Sequence, residues 1–259
     1  MSVRARVAAL TIVLIAATSA MACGGRFFGK QYEYEEDLYL ATDGSAELIV
    51  NASIPALVSL RGLPLDVDPA TQVDRNKVRA LYESPETEVA RVSRPWSRDG
   101  RRFVQVRVKV RDVRKLDAVA PFSWSHYSLG EEQELRVFRQ TMGASALRPG
   151  TMQNYGWKGK ELVAVRLHLP SRIVDHNARD IDSNEGSAVQ RGNILAWEQL
   201  LTDRLDGRPI SIEVRMDRQS ILYTTLWLFA GAFTAAVLLL CGIIWLTIRK
   251  GAREAATTS

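Results

Sequence analysis

Asp180, Asp182, Asn184 and Glu185 crowd into one short stretch, Asp180-Ile181-Asp182-Ser183-Asn184-Glu185-Gly186, and oxygen ligands spaced this way resemble the start of a calcium loop. In such a loop glycine comes sixth, where the chain turns sharply, and glutamate comes twelfth to give two oxygens. Here Gly186 is seventh and Arg191 is twelfth, so the stretch reads as a solvated polar insertion and no metal site is expected. His126, His168 and His176 stand outside any metal-ligand spacing such as H-E-x-x-H. No G-x-S-x-G, P-loop or G-x-G-x-x-G run occurs. With no nucleophile that can be paired with a base, no catalytic residue is named, no cofactor is expected, and the chain reads as a non-enzyme.

Two further groups carry chemistry of another kind. Cys23 follows Ala20-Met21-Ala22 and precedes Gly24-Gly25, where a bacterial lipoprotein has its lipid-bearing cysteine. Ala20 stands where the lipobox has leucine, so cleavage after Ala20 or Ala22 without lipidation stays open as the alternative. Arg107, Lys109 and Arg111 alternate along an outer strand face and are candidates for binding lipid headgroups. The plainer reading is a solvated face whose charges deter pairing at a sheet edge.

These groups belong to a chain built between two apolar segments. Arg4 and Arg6, the apolar run Val7 to Ala17 and small residues before Cys23 describe a signal peptide over residues 1–22, followed by an exit linker over 23–30. Near the other end, Ile221 to Ile248 is uncharged and stops at Arg249 and Lys250. As a helix it reaches roughly 42 Å, against ~30 Å of hydrocarbon in a bilayer. Tyr223, Trp227 and Trp245 fall where headgroups would lie, and Arg249, Lys250 and Arg253 place the tail 249–259 in the cytoplasm. Residues 31–217 are then one extracytoplasmic domain. Its only companion cysteine, Cys241, lies inside the apolar segment, so no disulfide can staple it. The net charge of +5 gives no reason to expect a nucleic-acid partner outside the cytoplasm.

Within the domain, strands are expected at Gln31 to Leu40 and Ala46 to Ala52 around an Asp43-Gly44 turn, and a short helix at Ile54 to Arg61. A longer helix is expected from Asp68-Pro69 to Tyr82, with Asp68 as its cap. Further strands read at Thr87 to Arg94, Arg102 to Arg111, Phe122 to Leu129, Glu134 to Gln140, Leu162 to Leu169 and Ile210 to Met216, and Asn193 to Leu200 with Trp197 returns to an apolar pattern. Asp112 caps a short helix, Val113 to Val119, and Arg172 to Gly192 reads as a polar connection. Short turns and the absence of βαβ alternation predict an α+β fold, with a curved antiparallel sheet packed by one or two helices, plus a single C-terminal transmembrane helix.

From Leu169 to Trp197 the chain resembles the LppM-type lipoprotein domain family. The residues that carry the likeness are Pro170, Val174, Asn177, Gly192, Asn193, Leu195 and Trp197. Ala178 departs from the family's asparagine-glycine pair, and Ala178 to Arg191 is longer than the family's hairpin. The resemblance implies a helix-grip-like lipid-binding fold at a bacterial cell surface, with no established enzymatic activity. The expected function is a membrane-anchored domain that binds a lipid or other amphipathic ligand in a cavity enclosed by a sheet curved over a helix, and it requires an internal cavity large enough for an acyl chain. The alternative is a scaffolding subunit of a cell-envelope complex with a protein partner, which predicts a filled core and an exposed apolar patch around Trp96, Phe122, Trp124 and Trp157.

Overall fold

The computed structural model describes residues 30–147, 155–182, 189–190 and 192–257. β1 (Tyr32–Leu40) and β2 (Ala46–Ser53) form a hairpin around Asp43-Gly44. Gly44 takes a φ of 93°, which side-chain-bearing residues rarely adopt, and Asp43 accepts from the Ser45 N–H at 2.9 Å. β2 runs directly into α1 (Ile54–Arg61), where Ser53 Oγ accepts from the Ala56 N–H at 3.1 Å and Gly62 closes the helix at φ 68°. Only Val58 of α1 escapes full burial, as an all-round apolar helix requires.

The second helix is shorter than the sequence suggests. α2 spans Arg75–Tyr82 and is capped by Asp74, whose carboxylate accepts from the Asn76 and Lys77 N–H groups at 2.8 and 3.3 Å. Asp68 instead turns the chain locally, accepting from the Ala70 N–H at 2.8 Å. A capping signature followed by proline fits either a helix start or a tight turn, and tertiary packing of Val78 and Tyr82 chooses the later start.

β3 (Thr87–Val92), β4 (Trp96–Arg98) and β5 (Arg101–Val110) follow, so the expected loop from Pro95 to Gly100 carries a short strand. Val104, Val106, Val108 and Val110 are all buried. A 3-10 turn at Val113–Ala118, capped by Asp112, stands where the short helix was expected, and a second turn at Ala120–Phe122 takes the start of the next expected strand. β6 (Ser125–Glu132), β7 (Leu135–Met142), β8 (Leu162–His168), β9 (Ser171–His176), β10 (Ile194–Leu200), α3 (Leu201–Leu205) and β11 (Ile210–Ser220) complete the domain. β9 lies in the expected polar connection; as an edge strand it buries little and so lacks a clean alternation.

The fold is α+β, but the strands form two sheets rather than one curved antiparallel sheet. One has the order β10-β8-β1-β2-β5-β3, with β4 also on β5; the other has the order β6-β7-β11-β9. β1 and β8 pair in parallel, from Tyr32 opposite Leu162 to Tyr39 opposite His168. Period-two alternation identifies a strand but says nothing of which distant strand it meets or in which direction. The sheets meet over a core that includes Tyr34, Leu38, Leu57, Leu60, Tyr127 and Phe138. α4 (Ile221–Thr257) is long and apolar enough over Ile221–Arg249 to cross a membrane, and no part of that span is buried in the domain.

Candidate membrane-proximal site

β11 ends at Ser220 and α4 begins at Ile221, with no residue between them. The Ile221 N–H donates to the Pro170 carbonyl at 3.0 Å, and the Leu222 N–H donates to Ser220 Oγ at 3.2 Å. Ser171 pairs with Ser220 across β9 and β11. The start of α4 is therefore tied to the connection between the two sheets.

Strand register shows what else lies at this end. Leu135 is opposite Asp217, which puts the Glu132-to-Leu135 hairpin there; Tyr39 is opposite His168, and Ala46 is opposite Val110. Arg136 donates to the Thr42 carbonyl and so links the β6–β7 hairpin to the β1–β2 hairpin. A cleft of about 450 Å³ opens beside the helix start, lined by Arg172, Asp217, Arg218, Gln219, Ile221 and Thr225. Arg172 reaches Asp217 at 2.9 Å and Arg218 reaches Glu131 at 3.2 Å, all four in substantial contact with solvent. A second surface cleft, of about 510 Å³, surrounds the start of α2. There Arg75 donates to the Val92 carbonyl at 2.7 Å and Arg79 to the Val89 carbonyl, covering the open edge of β3.

Of the residues that carried the LppM-type likeness, Pro170, Gly192 and Asn193 lie at the helix attachment, whereas Asn177 stands past the other end of β9 and Trp197 farther along β10. Asn177 Oδ1 accepts from Trp197 Nε1 at 3.0 Å and from the Glu213 N–H at 2.9 Å, while its Nδ2 donates to the Ser211 carbonyl at 3.0 Å. One side chain thus joins β10 of the larger sheet to β11 of the smaller. Gly192 and Asn193 take φ values of 92° and 62°, and Asn193 Nδ2 donates to the Leu169 and Ser171 carbonyls at 2.8 and 2.5 Å. Pro170 supplies the carbonyl that receives Ile221.

The basic face is arranged differently from an edge. β5 lies between β2 and β3, so its cations guard no open edge. Arg107 faces Glu47 at 3.2 Å and Lys109 faces Glu88 at 3.1 Å. Arg111 has no carboxylate partner among the described residues and stands just past Val110, at the end from which α4 leaves. Cys23 lies outside the described residues. So does Asn184 to Gly186, whereas Asp180 and Asp182 turn to Lys30 at 2.7 and 2.9 Å. Lys30 also meets Glu198 at 2.6 Å. That cation holds the Asp180 carboxyl down at about 2. Of the expected aromatic patch Trp96 is exposed, but Phe122 is fully buried, Trp157 is partly buried and Trp124 packs inward against Arg61 and Arg204.

Two buried charge clusters had no signature in the sequence. Glu36, at the centre of the core, accepts from Tyr34 and Arg61 at 2.7 Å each, from Gln140 at 3.1 Å and from Tyr127 at 3.3 Å. The Arg61 guanidinium lies 3.9 Å from the Trp124 ring centre and 4.5 Å from that of Tyr34. Burial pushes the Glu36 carboxyl up to about 7 and pulls Arg61 down to about 9, yet the donors gathered on the carboxylate compensate its lost hydration. At the end opposite α4, Glu33 binds Arg101 at 2.9 Å and accepts from Trp157 Nε1 at 3.1 Å. Their partners lie far along the chain, so no local pattern marks them.

No family model and no curated protein matches the chain. Among solved structures, the folded domain of Mycobacterium tuberculosis LppM is similar at 12% identity, with a TM-score of 0.37, over 74% of this chain and 94% of that one. This is a distant structural relation only.

Proposed function

We propose that the chain is a single-pass membrane protein whose extracytoplasmic domain stands on the bilayer and binds membrane lipid without catalysing a reaction. The observation that carries this reading is the direct passage of β11 into α4, tied down by Pro170, which leaves no free tether between the domain and an apolar span. A domain attached this way keeps one end of both sheets at headgroup level, with the cytoplasmic tail on the other side. The reading places lipid at that end. Among the described residues the space between the sheets is occupied by side chains such as Tyr34, Leu57, Tyr127 and Phe138, and both clefts described above are on the surface, so lipid is assigned to the domain's surface and not to the internal cavity expected from the sequence. The full chain, extracted in mild detergent and analysed by native mass spectrometry, retains a stoichiometric lipid. A chain that emerges free of lipid contradicts the reading and shifts weight to the scaffold alternative.

Lipidation of Cys23 would add a second anchor and constrain posture. β1 carries Tyr32 about 27 Å from Leu40, at about 3.4 Å per residue. Cys23 to Lys30, even fully extended, reaches no more than about 25 Å. An upright domain therefore strains against a lipid on Cys23 in the same bilayer. Labelling with a fatty-acid probe, lost in Cys23→Ala, detects that anchor.

A further inference from the structure

The cleft at the start of α4 combines features that a lipid headgroup requires: two arginines, polar groups and an apolar wall. Its two arginines come from different strands, Arg172 on β9 and Arg218 on β11; Arg218 stands three residues before the apolar span, and Arg172 follows Pro170, whose carbonyl receives the Ile221 N–H. Ile221 supplies an apolar wall that continues into Leu222 and the rest of α4, whereas Gln219 and Thr225 supply polar groups beside it. The volume of about 450 Å³ suits a glycerophosphate headgroup rather than a whole lipid.

The present partners of the two arginines are exchangeable. Side-chain exposure is 77% for Arg172 and 36% for Asp217, and 48% for Arg218 and 49% for Glu131. Ion pairs this open to water contribute little, because screening and side-chain entropy offset the attraction. A phosphate offers guanidinium the same forked geometry with more charge, and a lipid phosphate is held at the correct depth by its own acyl chains. The lining itself carries two cations against one carboxylate, Asp217.

We infer that this cleft is a binding site for the phosphate headgroup of an anionic lipid in the leaflet that faces the domain, with Arg172 and Arg218 as its two ligands. The inference rests on the membrane-anchored reading above and specifies where and through which chemistry lipid is held. The headgroup phosphate replaces Asp217 and Glu131 on the guanidiniums, and the glycerol end of the acyl chains lies along Ile221.

The test uses the full chain in nanodiscs of phosphatidylcholine with a minor fraction of phosphatidylglycerol, followed by native mass spectrometry of the lipid that stays bound. The wild-type chain retains phosphatidylglycerol well above its share of the bilayer. Arg172→Gln with Arg218→Gln lowers that enrichment about tenfold or more, as the loss of two charge-assisted contacts implies. Both side chains are solvent-exposed, and an unchanged thermal midpoint verifies folding. Arg172→Lys with Arg218→Lys keeps the charge but loses the fork, and falls between the two. Full enrichment in the glutamine variant overturns the assignment while leaving the anchored lipid-binding reading in place. If the wild-type chain retains no lipid at all, that broader reading fails as well. Inorganic phosphate added in excess leaves the lipid bound; complete displacement by it overturns the assignment to a lipid in favour of a free phosphate ester.

Discussion

At the end of the domain where β1 begins, Glu33 and Arg101 are sealed from water and locked by Trp157. At the end where α4 leaves, Arg172 and Arg218 hold Asp217 and Glu131 in solvent. The pairing chemistry is the same and the depth is not. A sealed pair is costly to break, because the survivor is left charged and dry; an open pair is cheap to break, because water replaces the lost partner. The far-end pair thus resists separation, and the two near-end pairs separate at little cost.

Substitutions at the sealed clusters break this comparison most severely. Arg61→Ala leaves the Glu36 carboxylate buried without its cation and empties the space beside Trp124, so chemical unfolding should show a loss of about 3–5 kcal/mol. Arg101→Ala at the far end belongs in the same range, about 3–5 kcal/mol. Arg172→Ala at the near end leaves the unfolding midpoint unchanged within error. A near-end loss as large as the far-end one would erase the distinction.

Asn177→Ala should cost about 0.5–1.5 kcal/mol, since it removes the side-chain bonds to the Glu213 N–H and the Ser211 carbonyl, while Trp197 Nε1 keeps the main-chain carbonyl of residue 177 at 3.1 Å. The smallest effect is with pH. The folded state holds Asp180 at about 2, below its ordinary value of 3.8, so the tie through Lys30 contributes above pH 3.8 and is lost as pH falls through about 2. Asp180→Asn removes that increment from an acid titration of stability, and an unchanged acid limb would contradict the tie.

Local patterns made much of this fold legible. The valines of β5, the Asp43-Gly44 turn, α1 and the apolar span were all readable, because each is fixed by neighbours in sequence. The start of α2 was misplaced because Asp68-Pro69 and Asp74 offer competing caps. The parallel pairing of β1 with β8 and the division into two sheets depend on contacts between distant segments, which alternation does not encode. The same holds for the candidate site. Arg107, Lys109 and Arg111 stood out for their spacing, whereas Arg172 and Arg218 became neighbours only when β9 and β11 paired.

The most direct measurement of the upright, membrane-seated domain compares two labelled positions in full-length chains reconstituted into vesicles. A fluorophore on Gln133→Cys marks the β6–β7 hairpin at the α4 end, and one on Ser97→Cys marks β4 at the other, each in a background of Cys23→Ser and Cys241→Ser. Lipids bearing a nitroxide on the headgroup should quench the Gln133 label strongly and leave the Ser97 label bright. Equal quenching at both positions would contradict the account, because the domain would then lie along the bilayer rather than stand on it.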